Sequence, residues 1–479
     1  MGTRTLGRRS ALRLLALGGA VVLTAACGGT QPANTPVPAA APATPVPAVA
    51  PAAPAAAAPA VTAVPAKPGM ATLQYWSFFP SDNTRWSERP TMLGEFTTKT
   101  GIGVEVNFVQ DAVIDTKVQT GFAAKQLPDL VDPGITQYSV GWGRQGIIID
   151  VNDLIGKLGR DDFPQPLVNA LTYKGKLYGI PWMANPQLMF YRKDWLGDKG
   201  LKITSWDEWV TVAKTFTGKN PAGKDGYGQG GYMAPVHQSQ WTQDWLGPNG
   251  GRTFDQNWKV VLDTFKPNVE AFTTMKSLSA FFQPGASTNN YGDTNNLFTD
   301  EVIAIALSST TFVNGVIKTK PALVDKVGIQ QIPQGPSGKG DRGGFLGCYS
   351  FVICSTSQHQ DDARTFLTWL FDPTVYIRVF KTIDFGHVPT RISVATDAKL
   401  ATIVPPLAMT DIQTGIKAAQ IATLTGEDNG PNPLARQISA ANIWTSMSQQ
   451  ILTGPVDVAM KTAADEIRKI VADDPADLG

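Results

Sequence analysis

From residue 71 onward the chain alternates between two spacings of apolar side chains. Thr72-Leu73-Gln74-Tyr75-Trp76-Ser77 has a period of two and predicts a strand, Leu93 and Phe96 lie three apart in the helix that follows, and Val104 to Val109 predicts the next strand. Strand, helix, strand is the unit of a parallel sheet. A helical stretch over Lys117 to Lys125 and a strand over Leu127 to Asp132 extend it. Lys174-Gly175, flanked by Tyr173 and Lys176, reads as a tight hairpin turn, and a second apolar run covers Leu188 to Tyr191. Pro181 and Pro186 cannot both donate within a central ladder, so 179–186 is expected to cross between two structural units and to act as a hinge.

Beyond that elbow the same alternation resumes. Ser205 stands as a cap with Glu208 three residues on, opening a helix that carries Trp209, Val212 and Ala213 on one face. Trp241 and Trp245, four apart, share a helical face. A helix before Val302 to Ser308, a return strand at Val327 to Ile332, a strand over Phe345 to Cys354 and helices over Asp361 to Trp369, Asn442 to Leu452 and Val456 to Val471 complete the pattern. In open sheets ligands sit at the carboxyl ends of strands, which directs attention to Trp76 through Asp82 and to Asp132. Trp182, with Asn185 and Gln187 close by, sets a flat apolar ring beside amide groups, a mixture that suits polyhydroxylated solutes.

Composition adds the address. The 479 residues are 43% hydrophobic and 17% charged, enough for two or three ordinary domains. Four of the 41 basic residues (Arg4, Arg8, Arg9, Arg13) fall within the first 26 positions, leaving 37 against 40 acidic ones, so a nucleic-acid partner has no electrostatic support. The basic start, the apolar run Leu12 to Leu23 and the small residues before Cys27 form a secretory signal over 1–26. Arg8-Arg9 resembles a twin-arginine export signal, and Leu23-Thr24-Ala25-Ala26-Cys27 resembles a lipobox, which makes Cys27 the expected lipid-bearing N-terminus. Residues 27–69 then read as a tether, because Gln31 to Pro68 holds 11 Pro and 16 Ala. Extended at about 3.1 Å per residue, it reaches on the order of 100 Å.

Cys348 and Cys354 lie too far apart along one strand for a disulfide and read as small buried side chains. With His237, His359 and His387 scattered and no Cys-x-x-Cys, no metal site or cofactor is expected. Two GxGxxG matches, Gly226 to Gly231 and Gly338 to Gly343, do not lie between a strand and an opening helix, which argues against nucleotide binding. Asp82, Asp132, Asp244 and Asp293 beside tryptophans raise glycoside hydrolysis, but nothing pairs a protonated acid with an ionised one, and the chain is not read as an enzyme.

The segment GKLYGIPW…MFYRKDWL resembles GKLYGVP…YYNKDLF of the family 1 extracellular solute-binding proteins, substrate-capturing subunits of bacterial ABC importers. Further stretches fall in that family's order: FTTKTGIGVEVNFV, LFTDEVIAIALSSTTFVNG, DDARTFLTWLFDPTVY and HVPTR. The resemblance implies an α/β, periplasmic-binding-protein-like fold of type II, with two lobes around a hinged ligand cleft. We expect 70–184 plus 297–334 in the first lobe and 185–296 plus 335–479 in the second. It further implies capture of a carbohydrate, two membrane permease subunits and an ATPase as partners, and a monomeric, membrane-anchored, extracytoplasmic protein. The expected contacts are Trp76, Asp82, Asp132 and Thr311 on the first lobe and Trp182, Trp241 and Tyr349 on the second. Thr310-Thr311 replaces the family's Pro-Trp, so a stacking ring is lost there, and a non-sugar solute such as a polyamine or phosphoester is the alternative ligand. A carbohydrate-active surface lipoprotein is the alternative function.

Overall fold

Among the described residues thirteen short strands form, and two sheets collect most of them. The computed structural model describes residues 65–80, 86–134, 137–235, 237–383 and 386–473. The expected signal segment, Cys27, most of the tether and Asp82 lie outside the described residues. In chain order the strands are β1 (Thr72–Ser77), β2 (Gly103–Phe108), β3 (Leu130–Asp132), β4 (Thr172–Tyr173), β5 (Lys176–Leu177), β6 (Ile180–Ala184) and β7 (Gln187–Arg192). There follow β8 (Gly218–Lys219), β9 (Asp225–Gln229), β10 (Ile303–Ser309), β11 (Val327–Gln330), β12 (Cys348–Ile353) and β13 (Val388–Pro389).

The first sheet has the order β13-β6-β12-β3-β1-β2, with β1 parallel to β2 and β3, and β12 antiparallel to β3 and β6. The second has the order β11-β7-β10-β9-β8, with β10 parallel to β9 and antiparallel to β7. Local chemistry behaves as expected at several points. Lys174 (φ 48°) and Gly175 (φ 76°) form the tight turn of the β4–β5 hairpin. Ser205 caps Trp206–Thr215 by accepting from Glu208 N, while the Glu208 carboxylate accepts from Thr204 N at 2.7 Å.

One expectation reverses. The strands of 297–334, β10 and β11, hydrogen-bond with β7 and β9 in the second sheet, and β12 enters the first sheet beside β3 and β6. The lobes therefore comprise residues up to 184 plus 348–419, and 187–342 plus the C-terminal helices. The cause is that β7 takes β10 and β11 on its two edges, so everything from the elbow to β11 completes one sheet before the chain returns.

Three crossings connect the lobes, and they lie side by side. Asn185 N donates to Gly347 O (2.9 Å) and Gln187 N to Phe345 O (3.0 Å), while Leu346 N donates to Thr423 O (2.9 Å) and Gly343 N to Ile421 O (2.7 Å). A Cβ on Gly347 would sit 1.8 Å from Asn185 Oδ1 and 2.6 Å from Asn185 O, so this approach requires glycine. The helix Pro406–Ala419 packs across both sheets, and Gly415 lets it lie against Thr310, Val388 and Pro186. The expected crossing over 179–186 is corrected: residues 180–184 form β6, paired with β12 and β13, and the chain passes between the sheets only at 185–186, beside two crossings that sequence patterning does not single out.

Candidate functional site

The carboxyl ends of β6 and β10 and the amino ends of β7, β12 and β13 lie at the crossings. On the second lobe they build a continuous polar rim. Gln187 Nε2 donates to Gln240 Oε1 (3.0 Å), and Gln187 pairs in register with Ser309. Ser309 Oγ and Thr311 Oγ1 share a hydrogen bond (2.6 Å), Thr311 Oγ1 reaches Tyr291 OH (3.0 Å), and the Tyr291 ring meets His237 edge-on at 5.0 Å. Within this rim Gln187 Oε1 and His237 Nδ1 are buried with no partner among the described residues. Burial lowers the His237 pKa, so its ring stays neutral, with one nitrogen left to accept a hydrogen bond.

Facing it, the first lobe presents aromatic and amide groups. Tyr349 on β12 stacks on Phe78 at 4.9 Å with 5° between the planes, and Asn185 Nδ2 donates to Tyr349 OH (3.3 Å). His387 stands beside Tyr349 at 5.6 Å. The lobes touch where Thr310 Oγ1 donates to Gly386 O. Outward along the same gap, a cavity of about 590 Å³ lies between Asp115, Tyr138 and Arg144 on one side and Glu427, Asn432 and Arg436 on the other. Burial and the adjacent Asp428 push the Glu427 carboxyl up to about 8.

The structure divides the expected contact residues. Thr311 and Tyr349 lie beside the crossings, on lobes exchanged from the expectation, since β10 belongs to the second sheet and β12 to the first. Trp76 is half-buried at the end of β1, with Lys117 Nζ 4.2 Å above its ring. Trp182, Trp241 and Asp132 are corrected: none has any exposed surface. Trp182, on the first lobe, is enclosed by Phe79, Trp86 and Phe351. Trp241 packs on Tyr232, Trp245 and Phe282, with its indole N–H on Met275 Sδ (3.2 Å). Asp132 accepts from Trp182 Nε1, Tyr75 OH and Gly134 N, and burial raises its pKa well above the usual carboxylate range. A large indole near a strand end gains more from a core than from an open face, and spacing alone does not separate the two. Sequence reasoning missed Phe78, Ser309, Gln240, Tyr291 and His237. The break in apolar alternation at the end of β10 was the available signal for Ser309.

With this geometry in view, residues 87–376 match the model of the bacterial extracellular solute-binding protein family. The chain belongs to that family. Relatives in sequence include the mannitol-binding protein of Pseudomonas aeruginosa, 25% identical over 57% of this chain and 63% of its own. Another is the arabinooligosaccharide-binding protein of Bacillus subtilis, 25% identical over 52% of this chain and 56% of its own. The chain thus spans less than two thirds of the length of these relatives. Among solved structures, a solute-binding protein from Thermotoga lettingae bound with α-D-tagatose superposes with TM-score 0.66 at 22% identity, covering 84% of this chain and 99% of that one. The sugar-binding protein MalE from Xanthomonas citri gives TM-score 0.69 at 19% identity, covering 84% and 98%. In this chain two α/β lobes are joined by a bundle of crossing segments. This likeness establishes the type II fold.

Proposed function

We propose that the protein captures a small polyhydroxylated solute, a sugar or sugar alcohol, between its two lobes and releases it to a membrane permease. One observation carries this reading: a rim of hydroxyl and amide groups, with Gln187 Oε1 and His237 Nδ1 lacking partners among the described residues, lies beside the crossings, where Asn185 also holds Tyr349 of the stacked Phe78–Tyr349 pair. Amide and hydroxyl groups bind solute hydroxyls through paired donation and acceptance, while ring faces cover C–H surface. The sequence relatives named for mannitol and arabinooligosaccharides support the same ligand class. Capture is non-covalent, and solute shifts the open-to-closed balance only through contacts made when both lobes touch it. Trp76, Thr311 and Tyr349 are proposed to contact the solute, as is Asp82.

Delivery would go to two permease subunits driven by an ATPase, from an extracytoplasmic monomer held by lipid on Cys27. A thermal-shift screen of the full chain against monosaccharides, sugar alcohols, oligosaccharides, polyamines and organophosphates tests the ligand class. A rise in melting temperature is expected with sugars or sugar alcohols, since binding to the folded form stabilises it by mass action. A response confined to polyamines or organophosphates would overturn the reading.

A further inference from the structure

We propose that Arg436 and Asp115 form a clasp between the lobes, which populates the closed form before solute arrives and slows solute exit afterwards. The inference rests on reading the two lobes as a solute clamp. Arg436 lies on the helix Ala435–Ala440, which packs with the C-terminal helices of the second lobe, and Asp115 lies on Asp111–Ala124 of the first. Their side chains meet across the gap at 2.5 Å. By contrast, the pairs of Arg192 with Glu301, Arg391 with Asp162 and Arg468 with Asp263 each stay within one lobe.

An ion pair on a surface usually contributes little, because water and salt screen it and two long side chains must be ordered. Three features set this one apart. The Asp115 side chain is only 13% exposed, against 59% for Arg436, so its charge is largely shielded from solvent. It is also fixed from behind: Trp142 Nε1 donates to Asp115 Oδ1 at 2.9 Å, which removes most of the ordering cost at the acid. Finally, the guanidinium carbon lies 5.4 Å from the centre of the Tyr138 ring, and Tyr138 is itself stacked on Trp142 at 5.6 Å and 13°. Arg436 thus enters a preformed seat made by three residues of the first lobe, offering a carboxylate and an aromatic face together.

The seat is also part of the wall of the cavity between the lobes, so Arg436 occupies it only when that gap is closed. Hinge opening must separate Arg436 from Asp115 and Tyr138 at once. Nothing in this arrangement requires solute. The clasp therefore acts on the solute-free equilibrium, and its strength falls with ionic strength.

Single-molecule distance measurements between labels on the two lobes of the full chain, with no solute added, test this. At low salt Arg436→Ala is expected to lower the ratio of closed to open molecules roughly threefold to tenfold. Asp115→Asn should do the same, the double variant should be no worse than either single one, and Arg436→Lys should fall between. At high salt the differences should vanish. An unchanged low-salt closed population in Arg436→Ala, or strictly additive effects in the double variant, would overturn the clasp. Because no solute enters the measurement, an incorrect ligand class leaves its outcome intact, and the thermal-shift screen above judges that class separately.

Discussion

Trp182 and Asp132 meet inside the first sheet, where the indole Nε1 donates to Asp132 Oδ1 at 3.3 Å and neither side chain reaches solvent. The Trp182 carbonyl also accepts from Tyr376 OH, so the residue ties β6 to β3 and to the helix Pro373–Thr382. Trp182→Ala is expected to cost about 3–5 kcal/mol of stability, because it removes a large buried ring and strands a buried carboxyl. Trp182→Phe should cost less, since the ring volume is mostly kept. Urea denaturation followed by circular dichroism measures both. An Ala variant with the parent midpoint would mean that the indole is not part of the core.

Gly347 offers a test of the hinge. Its neighbour across the crossing is Asn185, whose side-chain and backbone oxygens occupy the space a Cβ would need. Gly347→Ala forces the first two crossings apart and should cost about 1–3 kcal/mol through overpacking. Because the hydrogen bonds from Asn185 N and Gln187 N join these crossings, the same variant should also widen the lobe separation seen by small-angle scattering. Parent-like scattering with parent-like stability would show that the crossings tolerate separation.

The sheet-forming segments were legible in the sequence because strand and helix periods differ, and β1, β2, β7 and β10 lie where alternation places them. The elbow was legible only through Pro186, since Pro181 lies inside β6 with a strand on either side. Lobe membership was not, because strand order depends on which edges of β7 pair, and both of its partners are remote in the chain. The site was half legible. Thr311 just after β10 and Tyr349 near the start of β12 lie beside the crossings, whereas Trp182 in the middle of β6 and Trp241 within the helix Gln238–Leu246 are sealed in cores. A period-two pattern tells which face of a strand a residue takes, but not whether that face is covered by a helix or by solvent.

Gln187 links the crossing to the polar rim. Its amide nitrogen is engaged by Gln240, its amide oxygen has no partner among the described residues, and its side chain is almost fully buried. A solute hydroxyl donating to that oxygen would satisfy it. Gln187→Ala is expected to weaken binding of the solute found by thermal shift about tenfold, the loss of roughly one well-made buried hydrogen bond. Isothermal titration calorimetry on a variant with native circular dichroism reads this directly, and an unchanged Kd would remove Gln187 from the site.

Cys348 and Cys354 are free thiols with almost no exposed surface, and burial pushes both pKa values far above the ordinary thiol range. The thiolate is the reactive form, so a maleimide added to the native protein at neutral pH should leave both unmodified, while unfolding in urea should expose both. Mass spectrometry of the intact protein distinguishes the two cases. Rapid native labelling would show that β12 opens to solvent.

Asp411 lies on the helix spanning both sheets, has no exposed surface, and neither of its carboxyl oxygens has a partner among the described residues. Burial alone raises its pKa well above the usual range. In the unfolded chain this carboxyl ionises with a pKa of about 4, whereas in the folded protein it keeps its proton to a much higher pH. Between those limits the folded state binds more protons than the unfolded state, so the Asp411 contribution to stability falls as pH rises. At pH near or below that of the unfolded carboxyl the two states carry the same charge there, and the penalty is only that of burying a neutral polar group. Asp411→Leu, of similar volume and needing no partner, is expected to stabilise the protein by about 1–3 kcal/mol at neutral pH. The gain should shrink steadily on acidification. Thermal unfolding of parent and variant across the acid range measures the gap, and a gap that stays constant or widens toward acid would show that Asp411 is ionised and paired when folded.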